Sequence, residues 1–219
     1  MRSAIPIRRL QFIAATARLT APVVFTNHTS GYLRRFTKGA RAKRRLAKRL
    51  AHVRHVLAPS EELCEATGAV GYAGPVTFIP NGVDTDRFKP ADSPLRATWG
   101  VSEQEVVVLL ARRLVDKNGV VVFAEAVAAL KGLPVHLVFA RDGPERAKAE
   151  GILGANGMAE RSQLLGNVRN EDMPDIYNAA DISVLPSFME ATSITGLESM
   201  ACGLPLVGTR VGGHPGAHR

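Results

Sequence analysis

Two glutamates eight positions apart, Glu190 and Glu198, flank Thr192, Ser193 and Ile194, where a helical pattern begins. Carboxylates accept paired hydrogen bonds from vicinal sugar hydroxyls, and the amides opening a helix favour anionic oxygens. Upstream, Arg112, Arg113 and Lys117 stand between a strand pattern and a helix pattern, a setting that suits phosphate. A nucleotide diphosphate joined to a sugar offers both kinds of group. Each feature alone also has a plainer reading: arginines after a strand serve as solvated surface, and two glutamates are common on any exposed helix. Asp84-Thr85-Asp86 has the oxygen ligands a divalent cation prefers. It lies in a turn signature between Asn81-Gly82 and Arg87-Phe88, so no metal site is assigned. No GxGxxG follows any strand pattern, which argues against a nicotinamide cofactor.

These residues need a scaffold that gathers distant loops. From residue 105 onward, apolar runs without polar alternation (105–111, 135–140, near 163–165, 182–185, 205–208) are separated by helical patterns at 119–131, 144–153, 172–179 and 193–202. Such an order predicts a parallel sheet covered on both faces, a doubly wound α/β domain. Ligands of that architecture sit beyond the carboxyl ends of the strands, so loops 111–118, 141–143, 166–171 and 186–193 should share one rim. Earlier in the chain, 22–26, 53–58 and 76–79 read as strands, and 31–52 as an amphipathic helix carrying Leu33, Phe36, Ala40, Ala47 and Leu50. Ser60 is placed to cap a helix whose first turn holds Glu61 and Glu62. Pro80, Gly82, Pro90 and Pro94 punctuate 80–100, where Asp92, Ser93 and Pro94 would open a brief helix, and make it the domain boundary.

With 219 residues, two complete nucleotide-fold domains do not fit. The net charge of +8 conceals an asymmetry, because residues 1–58 hold 14 of the 28 cations and no acid. The remaining 161 residues carry a net −6. Ten of the cations fall between residues 34 and 54, on the predicted helix, which suits an anionic membrane surface as well as it suits a solvated face. Nucleic acid is disfavoured, since aromatic residues are sparse there and no recognised motif occurs. Two cysteines, Cys64 and Cys202, in no metal-binding spacing indicate neither a disulfide framework nor a zinc site, and a reducing, cytoplasmic location fits. The apolar stretch at 10–17 is too short to span a membrane.

Six blocks occur in a telling order: PNGVDTDRFKP (80–90), ARRLVDKNG (111–119), FARDGPER (139–146), LLGNV (164–168), YNAADISVLPS (177–187) and EATSITGLESMACGLPLVGTRVGG (190–213). Through them the chain resembles a retaining glycosyltransferase of family 4, with GT-B architecture, from about residue 22 to 213. The resemblance implies a partial N-terminal, acceptor-side Rossmann-like domain (1–80), an interdomain linker (81–100) and an incomplete Rossmann-like C-terminal domain binding the nucleotide sugar (101–219). It places Glu190 and His28 by the donor sugar, Glu198 on the ribose and Arg113 on the diphosphate. Lys117 and the amides of Thr192, Ser193 and Ile194 would assist with phosphate, and backbone at Gly166, Asn167 and Val168 would meet the base.

The implied reaction moves a sugar from a nucleotide-diphosphate donor to the hydroxyl of a glycan or glycolipid acceptor, with retained configuration and without metal or other cofactor. Such an enzyme would be cytoplasmic, with a peripheral place at the inner face of the membrane as the alternative. Two positions depart from the pattern: Asn118 stands where the family's phosphate lysine sits, and Arg141 replaces the glycine before Asp-Gly-Pro. The match stops short at both ends, implying a fragment. A catalytically silent, nucleotide-binding remnant is the alternative reading.

Overall fold

A computed structural model describes residues 16–18, 20–28 and 39–211. The chain divides into two compact units, Met1–Asn81 and Gly82–Arg219.

In the first unit β1 (Val23–Thr26), β2 (Val53–Ala58) and β3 (Val76–Phe78) form a parallel sheet in that order. Helix α1 (Ala40–Leu50) precedes β2 and α2 (Glu61–Ala69) follows it. Leu46 and Leu50 of α1 are buried, whereas Arg41, Arg44, Arg45 and Lys48 are exposed, so its apolar residues pack inward and its charges face water. The earlier part of the predicted 31–52 helix, with Leu33 and Phe36, and most of the 10–17 stretch lie outside the described residues. Ser60 caps α2 as its position predicts: Oγ accepts from the Leu63 amide at 3.3 Å, and Glu61 and Glu62 occupy the first turn. Ser60→Ala should therefore cost about 1 kcal/mol, read as a lower urea midpoint for the first unit.

The second unit begins with the segment read as a linker. It packs closely here, with Phe88 buried and Val83, Leu95 and Trp99 against the same core cluster. The Asn178 side chain clamps it, accepting from the Ala91 amide and donating to the Lys89 carbonyl, both at 3.1 Å. Asp84 Oδ1 accepts from the amides of Asp86 and Arg87, so this carboxylate organises a turn. Helix α3 (Leu95–Thr98) follows, its first amide bonded to Ser93 Oγ.

Beyond it β4 (Val106–Leu110), β5 (Val135–Ala140), β6 (Ser162–Gly166), β7 (Ile182–Leu185) and β8 (Leu206–Gly208) build a parallel sheet in the order β6-β5-β4-β7-β8. Period-two alternation divides its core. Val108, Leu110, Val135, Leu137 and Phe139 face one layer, with α4 (Val120–Ala126) and α5 (Arg146–Ala155). Val107, Leu109, Val138 and Ala140 face the other, with α6 (Met173–Asn178). Both faces are apolar because helices cover both. Helix α7 (Ile194–Ala201) precedes β8. The helix expected over 119–131 is shorter and interrupted: Asp116–Asn118 and Val127–Leu130 are 3₁₀ turns, and Gly119 at φ 68 separates the first from α4. Among the described residues no helix is long and apolar enough to cross a membrane.

This strand order reverses direction between β4 and β7. The first strand of the unit lies beside the fourth, so the loops leaving their carboxyl ends diverge and leave a crevice there, the usual ligand position of open α/β sheets.

Candidate functional site

Four loops meet on the carboxyl rim of the five-stranded sheet. After β4 the chain passes Arg112 and Arg113, and its Leu114 amide donates to Asp142 O at 3.0 Å while Leu114 O accepts from the Glu145 amide at 2.9 Å. Gly143 permits that approach, since a Cβ there would stand 2.2 Å from Leu114 O. On the other side the Phe188 amide donates to Lys117 O at 2.9 Å. The β4 loop is thus fastened to its neighbours on both flanks.

Arg112 is the hub. Its guanidinium forms a charge-assisted bond from Nη2 to Glu190 Oε2, donates from Nη1 to Ser193 Oγ at 3.1 Å and from Nη2 to Asn118 Oδ1 at 3.2 Å. The Arg112 and Glu190 side chains are only 11% and 9% exposed, so this pair spans the crevice between the β4 and β7 loops away from bulk water. Glu190 Oε1 also accepts from the Ala191 amide at 3.2 Å. Both carboxylate oxygens are held, and the side chain has one fixed orientation.

Ser193 caps α7, its Oγ accepting from the Gly196 amide at 3.1 Å. The positive end of that helix therefore opens beside Arg112. Thr192 Oγ1 donates to Ala191 O at 2.8 Å, and Ile194 is exposed at the first helical position. Asn118 is buried, and its amide donates to Arg113 O at 2.8 Å. It fixes the loop conformation and orients Arg112, where a lysine would have contributed charge. Arg113 itself is exposed, and its guanidinium is bonded to no group among the described residues.

Glu198 sits two turns down α7, buried at 7% exposure. Tyr177 donates to its Oε2 at 2.8 Å. Burial pushes the Glu198 carboxyl above its ordinary range, only partly opposed by the Tyr177 hydrogen bond and the charges of Arg141 and Arg87. Burial beside that carboxyl also raises the Tyr177 hydroxyl, which stays a neutral donor. A raised carboxyl is favoured protonated in the folded state. Its contribution to stability is present below pH 4.5 and is lost as pH rises through the folded value. Glu198→Gln, which keeps an acceptor for Tyr177, should accordingly raise the melting temperature at pH 7 relative to the parent and not at pH 4; thermal melts at the two pH values check this.

The β6 end contributes Gly166, at φ 71, then exposed Asn167 and half-buried Val168, whose carbonyl accepts from Arg141 Nη1 at 3.3 Å. His28 lies in the other unit, exposed just after β1; the preceding Asn27 amide extends the sheet by donating to Leu57 O. Sequence spacing missed Arg112 as the partner of Glu190, and Tyr177 as the partner of Glu198. Among the described residues no group of three His, Cys, Asp or Glu side chains is arranged to hold a metal.

Comparison with known proteins finds two family matches. The family described as "Glycosyl transferases group 1" matches residues 105–218, and "Glycosyltransferase Family 4" matches residues 8–87. Curated relatives include a D-inositol 3-phosphate glycosyltransferase of Geodermatophilus obscurus, 29% identical over 91% of this chain and 49% of its own length. An alpha-D-kanosaminyltransferase of Streptomyces kanamyceticus is 34% identical over 59% of this chain and 35% of its own. The chain spans about half the first relative's length and less of the second. Solved structures sharing the fold include HepE of Anabaena in complex with UDP-glucose, with TM-score 0.81 and 22% identity over 95% of this chain and 60% of that one. Sucrose-phosphate synthase of Thermosynechococcus elongatus gives 0.79 and 22% over 91% and 53%.

Proposed function

This chain belongs to the group 1 glycosyl transferases, with GT-B fold, and on that premise we propose that its second unit binds a nucleotide-diphosphate sugar across the crevice between the β4 and β7 loops. The observation that carries the reading is the Arg112–Glu190 pair at the strand-order reversal, beside the capped start of α7. Cations, helix amides and two buried carboxylates within one rim match the anionic bridge and the hydroxyls of such a donor. HepE, which shares the fold, carries UDP-glucose in its solved complex.

In this reading Arg113 and Lys117, with the amides at 192–194, face the diphosphate, and Glu198 accepts from the ribose hydroxyls. The backbone at 166–168 meets the base. Glu190, held by Arg112 and the Ala191 amide, positions the donor sugar; its two engaged oxygens support that role over attack on the anomeric carbon. The transfer proceeds with retention, and the charge growing on the departing diphosphate is met by arginine and amide donors in place of a metal. Loss of one well-aligned donor costs such a step ~10²–10³ in rate. The acceptor is a glycan or glycolipid hydroxyl.

Calorimetric titration with nucleoside diphosphates and their sugars tests the binding half. Glu198→Ala should abolish the heat seen with the parent; an unchanged signal would remove the ribose assignment. Binding without turnover in the presence of acceptors would identify a nucleotide-binding remnant.

The exposed cations of α1 support a second element, peripheral contact with anionic lipid. Since Leu46 and Leu50 are buried in the first unit, the contact would be electrostatic, at about 1 kcal/mol per cation near the surface. Flotation with vesicles containing phosphatidylglycerol should carry the protein upward at low salt and release it at high salt. Equal flotation with neutral vesicles would oppose the idea.

A further inference from the structure

Arg141 occupies a backbone position made for another residue. It directly follows β5 at φ 136, and it is the one non-glycine residue with positive φ among the described residues. Side chains rarely adopt that conformation, which glycine takes freely. Strain of this kind persists where surrounding structure enforces it, and it clusters at ligand sites. The enforcement is visible. Arg141 forms an antiparallel bridge with Gly166, tying the ends of β5 and β6 after the register shift at Phe139/Ala140, and its guanidinium donates to Val168 O at 3.3 Å. The side chain is half-buried, and its charge reaches both Glu198 and Tyr177. A cation with five N–H donors and no acceptor is therefore bonded to the backbone assigned to the base and acts electrostatically on the carboxylate assigned to the ribose.

We infer that Arg141 is a specificity-determining residue of the donor site, selecting nucleotides whose base presents carbonyl oxygens, uracil or guanine, over those that present an exocyclic amino group at the same edge, cytosine or adenine. The inference rests on the donor-site reading above. Guanidinium N–H groups pair with O4 of uracil or O6 and N7 of guanine, whereas the amino groups of adenine and cytosine oppose donor to donor. The hydrogen bond to Val168 O holds the fork in place, so the preference depends on its planar geometry as well as its charge.

The test is equilibrium binding of UDP, GDP, CDP and ADP to the 219-residue chain and to two variants, Arg141→Gly and Arg141→Lys. Glycine suits φ 136, so Arg141→Gly should melt no lower than the parent. The parent should bind UDP or GDP at least about tenfold more tightly than CDP and ADP, a ratio in the range of one well-made base contact. In Arg141→Gly the four affinities should converge to within about threefold, and Arg141→Lys should retain less than half of the logarithmic preference. A carbonyl-base preference that survives in Arg141→Gly, or a parent that favours ADP or CDP or discriminates none, overturns the role of Arg141 while leaving the donor site standing. Failure of all four nucleotides to bind the parent overturns the donor site itself, and the inference with it.

Discussion

Arg112→Ala is expected to lower the stability of the second unit by about 3–5 kcal/mol, since it leaves the nine-tenths buried Glu190 carboxylate without its cation. For a chain of this size that corresponds to a fall of ~10 °C in the melting temperature of the second unit. Ser193 Oγ and Asn118 Oδ1 lose a donor in the same step. The pair rather than the arginine alone sets the cost, so Arg112→Ala/Glu190→Ala should recover at least half of the loss. Differential scanning calorimetry on the three variants decides between this account and simple loss of packing, under which the double variant would be worse than either single one. Function should follow a different pattern. Arg112→Ala frees Glu190 from its fixed orientation, and Glu190→Ala removes the carboxylate, so donor-sugar recognition should be lost in both single variants and in the double variant, whatever their stability. Comparing affinities for a nucleoside diphosphate and its sugar conjugate reads out that component: the gain from the sugar should disappear while the bare diphosphate still binds.

The contrast between Arg112 and Arg113 shows where sequence reading ends. The apolar runs at 105–111, 135–140 and 182–185, the Ser60 cap and the common rim of the four loops follow from periodicity and local chemistry, and the structure has strands at 106–110, 135–140 and 182–185, the cap and the rim. Which of two adjacent arginines turns toward Glu190 does not follow, because it depends on β7 lying beside β4, a long-range pairing that no local pattern encodes. The same holds for Tyr177 and Glu198, 21 positions apart and joined through the packing of α6 against α7. The prolines of 81–100 read as an interdomain linker, and no local turn signal tells that Phe88 and Trp99 within it are large apolar side chains that pack with the second core. The substituted glycine at Arg141 is legible in the motif, whereas its positive φ and its bond to Val168 arise from the pairing of β5 with β6.

Gly119→Val should disable the second unit more severely than any substitution of a charged group except Arg112. Gly119 sits at φ 68, between the 3₁₀ turn at Asp116–Asn118 and α4, and a Cβ there would lie 1.9 Å from Pro186 O. The obstacle is backbone, so no side-chain rotation relieves it. A β-branched residue in left-handed conformation adds its own strain, and together the two effects amount to about 2–6 kcal/mol. Pro186 begins the loop that carries Glu190, and Gly119 ends the loop that carries Arg112. Any accommodation that separates Gly119 from Pro186 must therefore also strain the Phe188-to-Lys117 hydrogen bond and the ion pair across the crevice. Variant protein that still folds should for this reason show weakened donor binding together with a lowered melting temperature. Gly132→Ala is the control: a Cβ at that position meets nothing within 4 Å and the residue has no positive φ, so stability and binding should stay at the parent's values or improve slightly. If Gly119→Val melts and binds like Gly132→Ala, the two loops are not held at the close approach on which the site geometry depends.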